Sequence, residues 1–343
     1  MRALEKMEEI REKTEETRQN ADEARLRRLE KLRFWRRACA DSSTLTTPYN
    51  LSADGNPLFF FHGDFDTGGL YVRRLAALSG QPIVAVAPQG LHDDPLPPSI
   101  EDMAAARLPE ILRVRPHGPY RLGGYCNGAL VAYETARLLE ARGEAVEVLI
   151  LLEPSSLNTR PAYVAAHRWI ARLLDPTGAG SETSRRRIGS AMWAVWSLGR
   201  ILKMSPSEIA GLARYIHDRR AKRRQRLRDT SHETDGERLL QEKAARLTNA
   251  HYRASAAHVP VPVDFPVVAM STGRDGGGRV SDLYDAVSWQ AVCRRFSHLR
   301  LPGHHSTCLS EGVDTLAGHL STILAPDATA AAPVPRTAQP ASD

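Results

Sequence analysis

The chain has 343 residues, with 46 basic and 40 acidic side chains, a formal net charge of +6 and 42% apolar residues. That length and balance exclude a disordered chain and a small disulfide-stapled scaffold, and leave room for one large α/β domain with appendages. Cysteines occur at 39, 126, 293 and 308; they show neither paired nor metal-type spacing, so reduced thiols in a cytoplasmic protein with no bound metal are expected.

Residues 1–40 read as a polar helix rich in Glu, Arg and Lys, without the apolar segment of a signal peptide. Pairs such as Glu9–Lys13 and Glu23–Arg27 have the favourable four-residue spacing and orientation. A thin stripe through Met7, Ile10, Thr14, Thr17, Ala21 and Ala24 shifts phase at Leu26, Leu29 and Leu32. Two readings stay open: a solvated extension, or a coiled coil or docking helix, within 1–38, for a synthase partner or a second copy. Residues 41–56 read as a linker and the start of the core, with Asp41 to Pro48 as the linker proper.

The first half of the core is expected over 57–155. Leu58 to Phe61 is a short buried strand that delivers His62-Gly63-Asp64. A helix at 70–78, a strand at 82–87, a stiff loop at 94–98 and a helix at 100–114 follow. Tyr120 to Tyr125 then leads into Gly124-Tyr125-Cys126-Asn127-Gly128, and an apolar helix runs on past Leu139. Strand, Gly-x-nucleophile-x-Gly, helix is the layout of a nucleophile elbow, whose sharp turn demands small residues two positions either side of its tip. Here Gly124 and Gly128 flank Cys126. A helix N-terminus favours negative charge, so this position should ease ionisation of the thiol. Backbone N–H groups of Asn127 and of the Gly63–Asp64 turn would supply an oxyanion hole. The next strand, 145–152, ends at Glu153, on the carboxyl edge where α/β active sites form.

Residues 156–257 interrupt the strand–helix alternation. They read as helices at about 160–174, 187–203, 206–228 and 236–257, a helical lid whose apolar residues either line an acyl channel or pack against one another. Within it Arg219, Arg220, Lys222, Arg223 and Arg224 form a dense basic run. That run is either a solvated helix face or a docking patch for something acidic: a carrier protein, a phosphopantetheine arm or a coenzyme A nucleotide. No nucleic-acid recognition motif accompanies it, and no apolar run is long enough to span a membrane, so neither partner is expected.

The core resumes over 258–325. A strand at 267–271 is followed by Gly273 to Gly278, which puts Asp275 at a second carboxyl edge as a rival acid to Glu153. A helix near 287–296 and a last strand at 298–301 lead to Pro302-Gly303-His304-His305. A histidine there, after nucleophile and acid, completes the chain order of a hydrolase triad. A final helix at 312–324 precedes residues 326–343, whose Ala, Pro, Thr and Ser composition predicts disorder.

With Phe60 to Gly63, Pro116 to Gly124, the elbow, Arg142 to Glu153 and Leu301 to His305 assembled, residues 55–325 resemble the thioesterase domains of nonribosomal peptide synthetases and polyketide synthases. The resemblance implies an α/β-hydrolase fold: a mostly parallel sheet, helices on both faces and a helical lid. It carries the nucleophile to Cys126, the acid to Glu153 and the base to His305, with His304 at the family's variable position. Serine is the usual nucleophile and aspartate the usual acid. The added methylene of Glu153 keeps Asp275 as the alternative. The implied activity is release or transfer of an acyl chain, polyketide or peptide, from an acyl or peptidyl carrier protein through a Cys126-bound acyl-enzyme. The acceptor is water, an external amine or alcohol, or a group within the chain. No cofactor is implied beyond the phosphopantetheine that carries the substrate. Two other classes compete: a catalytically silent binding module, and a hydrolase of free esters.

Overall fold

A computed structural model describes residues 45–51, 56–63, 65, 69–91, 95–203, 210, 211, 214, 217, 235–272, 286–305, 307–310 and 312–325. The expected 1–40 helix, the 326–343 tail, Asp64, Asp275, the 219–224 basic run and nearly all of the expected 206–228 helix lie outside these residues.

Strands and helices alternate as β1 (Thr46–Tyr49), β2 (Leu58–Phe61), α1 (Leu70–Ser79), β3 (Ile83–Val86), α2 (Ile100–Val114), β4 (Tyr120–Tyr125), α3 (Asn127–Ala141) and β5 (Val146–Leu152). The helices α4 (Pro161–Leu174), α5 (Glu182–Lys203) and α6 (Asp235–Ala257) follow, then β6 (Val263–Thr272), β7 (Cys293–Leu301) and α7 (Val313–Ile323). The seven strands form one sheet in the order β1-β3-β2-β4-β5-β6-β7. β1 pairs antiparallel with β3, and every other pairing is parallel. This is the mostly parallel sheet of an α/β-hydrolase fold.

The continuous apolar strands are explained by burial on both faces. Along β2, Phe59 and Phe61 enter one core while Leu58 and Phe60 enter the other. Along β5, Leu149 and Leu151 alternate with Val148, Ile150 and Leu152 in the same way. One face is covered by α2 and α3, through Ile100, Met103, Ile111, Leu130 and Tyr133. The other is covered by α1 and α7, through Val72, Leu75, Val313, Leu316 and Leu320. A separate apolar cluster joins Leu157, Tyr163, Ile170, Ile188, Met192, Trp196 and Ala256 in the helical insertion.

Three local expectations change. Thr46 to Tyr49 is an edge strand, where a linker was expected. The β-branched Thr46 and Thr47 suit a strand, and an edge tolerates Pro48. The helix expected near 287–296 reduces to a 3-10 turn over Ala286–Ala291. The last strand begins at Cys293 instead of His298, because β6 is longer than expected and its ladder runs from Val263↔Cys293 to Thr272↔Leu301. Pairing with a neighbour overrode local helical periodicity there.

Candidate active site

The elbow is built by close packing. β4 runs into Cys126, which sits at φ 55°, ψ −117° as the residue before the first turn of α3. A non-glycine residue at positive φ is rare and persists only where its surroundings hold it. They do so here: Cys126 N–H donates to Leu152 O at 2.9 Å, and Cys126 O accepts from Ala129 N at 3.2 Å. Glycine is required on both sides. A Cβ on Gly124 would overlap the carbonyl of Gly128, and one on Gly128 would overlap Phe61 O and lie 3.1 Å from Gly63 N. Gly128→Ala is therefore expected to cost about 3 kcal/mol of stability through overpacking against backbone. Chemical denaturation would read this as a lower midpoint at unchanged slope.

The same packing brings the end of β2 to the elbow. A Cβ on Gly63 would lie 2.5 Å from Tyr125 O and 3.4 Å from Asn127 N. The N–H of Asn127, in the first turn of α3, has no acceptor four residues back and is aligned with the positive end of the helix. Gly63 and Asn127 thus stand together beside Cys126. The Asn127 side chain is held from the lid: its Oδ1 accepts from Ser255 Oγ at 2.9 Å, on α6. Asn158 Nδ2 in turn donates to the carbonyls of Ser255 and His258, each at 2.7 Å.

Glu153 follows β5 at φ 50° and is fully buried. Its N–H donates to Met270 O at 2.8 Å, and its Oε1 accepts from Thr272 N–H. Its Oε2 lies 3.0 Å from His305 Nδ1, so that ring nitrogen carries the proton and donates. His305 is 28% exposed in its side chain. Tyr125 supports it twice: its hydroxyl donates to His305 O at 2.6 Å, and its ring stacks at 5.3 Å and 23°. The other edge of the imidazole is hydrogen-bonded to the side chain of Cys126. Cys126, Glu153 and His305 are therefore contiguous. His304, by contrast, is exposed and turns its backbone into the loop, accepting from Thr307 N and Cys308 N.

The electrostatics follow from this arrangement. Burial disfavours an imidazolium at His305. The charge and hydrogen bond of Cys126, and then those of Glu153, outweigh it and push His305 up to about 10. Protonated His305 is thus favoured at neutral pH. Because the folded value lies above the ordinary 6.5, the contribution of the protonated ring to stability is complete below that pH and is lost as pH rises through about 10. A histidine NMR titration is expected to find His305 still protonated at pH ~8. In Cys126→Ala the midpoint should fall, since both contributions of the sulfur are removed. Nearby, Cys308 is fully buried, and desolvation with the charges of Glu153 and Cys126 pushes its thiol up to about 12. It is an un-ionised neighbour.

A cleft of about 360 Å³, counted with its open mouth, adjoins Cys126. Its lining includes Asn127, Ser155, Asn158 and Ser255 and the aromatic residues Trp193, Trp196 and Tyr252. Among the described residues, one group of ligand-type side chains lies close enough to hold a cation: Glu101, Glu134 and His258. Glu134 is already paired, at 2.9 Å to His258 Nε2 and 2.7 Å to Arg137. Burial alone would raise its carboxyl, but His258 and then Arg137 hold it below the usual range. The group reads as a structural ion-pair cluster.

Of the residues singled out from sequence, Cys126, Asn127, Gly63, Glu153 and His305 come together. Tyr125, Thr272, Ser255 and Asn158 went unremarked as site residues. Tyr125 lies inside the elbow motif, but the other three carry no local signal, since their contacts span from 97 positions of sequence, as in Asn158–Ser255, to 128, as in Ser255–Asn127.

The family model for the thioesterase domain matches residues 56–324. Among curated proteins, the polyketide synthase PksR of Bacillus subtilis (strain 168) is 34% identical over 108 residues, which is 31% of this chain and 4% of that protein. The indigoidine synthase of Dickeya dadantii (strain 3937) is 44% identical over 98 residues, 28% of this chain and 6% of that protein. The matches thus span a small fraction of these long relatives. Among solved structures, a four-domain nonribosomal peptide synthetase bound to AMP and glycine superposes with a TM-score of 0.53 at 20% identity, covering 82% of this chain and 20% of that one. The Vlm2 thioesterase domain with a bound dodecadepsipeptide superposes with a TM-score of 0.51 at 19% identity, covering 81% of this chain and 97% of that one. At such identities the likeness speaks to the fold.

Proposed function

The chain belongs to the thioesterase domain family, and from that premise we propose that it releases or transfers a carrier-protein-bound acyl chain through a thioester on Cys126. The observation that carries this reading is the contiguity of Cys126, at its positive-φ elbow, with a His305 anchored to buried Glu153. In the proposed mechanism the Cys126 thiolate attacks the carbonyl carbon of the phosphopantetheine thioester, and the oxyanion is held by N–H groups of Asn127 and the Gly63–Asp64 turn. Collapse breaks the C–S bond to the carrier, and His305 gives its proton to the departing thiolate. Neutral His305 then takes a proton from water, an amine, an alcohol or a group within the acyl chain, which attacks the acyl-enzyme. Expulsion of Sγ restores the thiolate–imidazolium pair. A thioester intermediate stays reactive toward amines and thiols, which favours transfer and ring closure alongside hydrolysis.

The proposed partner is an acyl or peptidyl carrier protein. Arg219, Arg220, Lys222, Arg223 and Arg224 are the proposed docking patch, since a basic run suits an acidic partner.

Intact-mass analysis after mixing the protein with an acyl-loaded carrier protein, an acyl thioester of N-acetylcysteamine and a p-nitrophenyl ester tests the reading. An adduct on Cys126 that forms faster from the carrier-bound chain supports it. Equal rates from carrier-bound and free esters would indicate a free-ester hydrolase. Absence of any adduct and any product across several acyl lengths would indicate a binding module.

A further inference from the structure

The cleft beside Cys126 is chemically uneven. Three aromatic rings line it, and they share one orientation. Trp193 and Trp196 stack at 4.7 Å and 17°, Trp193 and Tyr252 at 5.3 Å and 18°, and Trp196 and Tyr252 lie at 6.3 Å and 26°. A flat group lying on one ring is therefore close to parallel with all three. A saturated chain gains only dispersion from such a wall and surrenders its torsional freedom to lie along it. A conjugated acyl group has little freedom to lose and gains the offset-stacking attraction between π-systems.

The polar side chains of the cleft are uneven too. Ser255 Oγ is committed to Asn127, and the amide of Asn158 to two carbonyls. Ser155 Oγ is buried with no hydrogen-bond partner among the described residues. A buried hydroxyl left unmatched is costly, and a ligand group that pairs with it recovers that cost.

Resting on the acyl-enzyme reading of Cys126, we infer that this cleft selects a planar aryl or aryl-conjugated acyl group bearing a hydroxyl or carbonyl substituent, with Trp193, Trp196 and Tyr252 as its stacking wall and Ser155 as its polar contact. The acyl carbonyl then lies at Cys126 while the ring lies on the lid side. The wall belongs to α5 and α6, so the preference is a property of the helical insertion and not of the sheet.

The test separates binding from chemistry. Calorimetry on the Cys126→Ala protein compares the N-acetylcysteamine thioesters of cinnamoyl, 2-hydroxycinnamoyl, 4-hydroxycinnamoyl and decanoyl groups, the last matched to the hydroxycinnamoyl groups in heavy atoms. Cinnamoyl is expected to bind about tenfold tighter than decanoyl, and at least one hydroxy isomer tighter still. Adding Trp193→Leu should erase the aryl preference while Trp193→Phe retains it, and Ser155→Ala should erase only the gain from the hydroxyl. Decanoyl binding as tightly as cinnamoyl, no measurable binding of any of the four, or a preference unchanged by Trp193→Leu would each overturn the inference. Acylation of the wild-type protein is measured alongside. Aryl-selective binding without acylation leaves the subsite standing and overturns the acyl-enzyme reading. Acylation without aryl-selective binding does the reverse.

Discussion

Cys126→Ala is expected to abolish acyl-adduct formation and to lower turnover of a carrier-bound thioester by about 10⁴-fold or more, the scale on which nucleophile removal acts in triad enzymes. The substitution is sterically mild. Cys126 is 9% exposed, and alanine retains the Cβ that the positive φ already accommodates. The fold, the Ser255–Asn127 contact and the binding cleft should therefore survive, so the loss falls in kcat and leaves substrate binding nearly intact. Single-turnover mass spectrometry beside equilibrium binding checks both halves of this expectation. A variant that retained more than a few per cent of turnover would move the nucleophile elsewhere. Cys308 does not offer a replacement, since its thiol is fully buried and pushed up to about 12.

Glu153→Gln should be the second most damaging change, lowering kcat by on the order of 10³–10⁴-fold with little change in KM. The argument is one of donors and acceptors. Gln retains an oxygen that accepts from Thr272 N–H, so that contact is satisfied and sets the amide orientation. The amide nitrogen then faces His305 Nδ1 in place of the carboxylate oxygen that lies 3.0 Å away. A donor now meets a donor, so the neutral imidazole must place its proton on the other nitrogen. That tautomer cannot accept a proton from an attacking water or amine at the Cys126 edge. Loss of the buried carboxylate also removes one of the influences that raise His305, so its titration midpoint should fall. Glu153→Asp makes a useful companion: it retains the charge but withdraws the carboxylate by a methylene. Activity closer to wild type than Glu153→Gln would show that charge matters more than reach. A Glu153→Gln protein of full activity would return attention to Asp275.

Cysteine in place of the usual serine gives this site its particular electrostatics. Under the proposed mechanism a thiolate beside His305 would form an ion pair where a serine hydroxyl would leave a neutral hydrogen bond. The Tyr125 ring, stacked on His305 at 5.3 Å, lies where it also attracts a cationic imidazole. In the proposed mechanism His305 acts as an acid first and as a base only when the acceptor arrives.

The local geometry of the elbow is written in its residues. Gly124 and Gly128 are legible because a sharp strand-to-helix turn has no room for a Cβ, and the structure finds backbone carbonyls where those Cβ atoms would sit. The alternation of strands and helices from β2 to β5 is equally local, because double-faced burial leaves unbroken apolar runs such as Leu58 to Phe61. What lay beyond local sequence were contacts made across distance. The length of β6 and β7 was decided by pairing, which converted an apparent helix into ladder. The contact of Glu153 with His305 was decided by β5 and β6 lying adjacent in the sheet, which sets Met270 O and Thr272 N–H around the glutamate and aims its carboxylate at the loop after β7. The aromatic wall was decided by α5 and α6 crossing, which stacks Trp193 on Tyr252 from a point 59 positions further along the chain. Side-chain type and short spacing are local properties of a chain. The direction in which a side chain points, and the groups it meets there, belong to the packed fold.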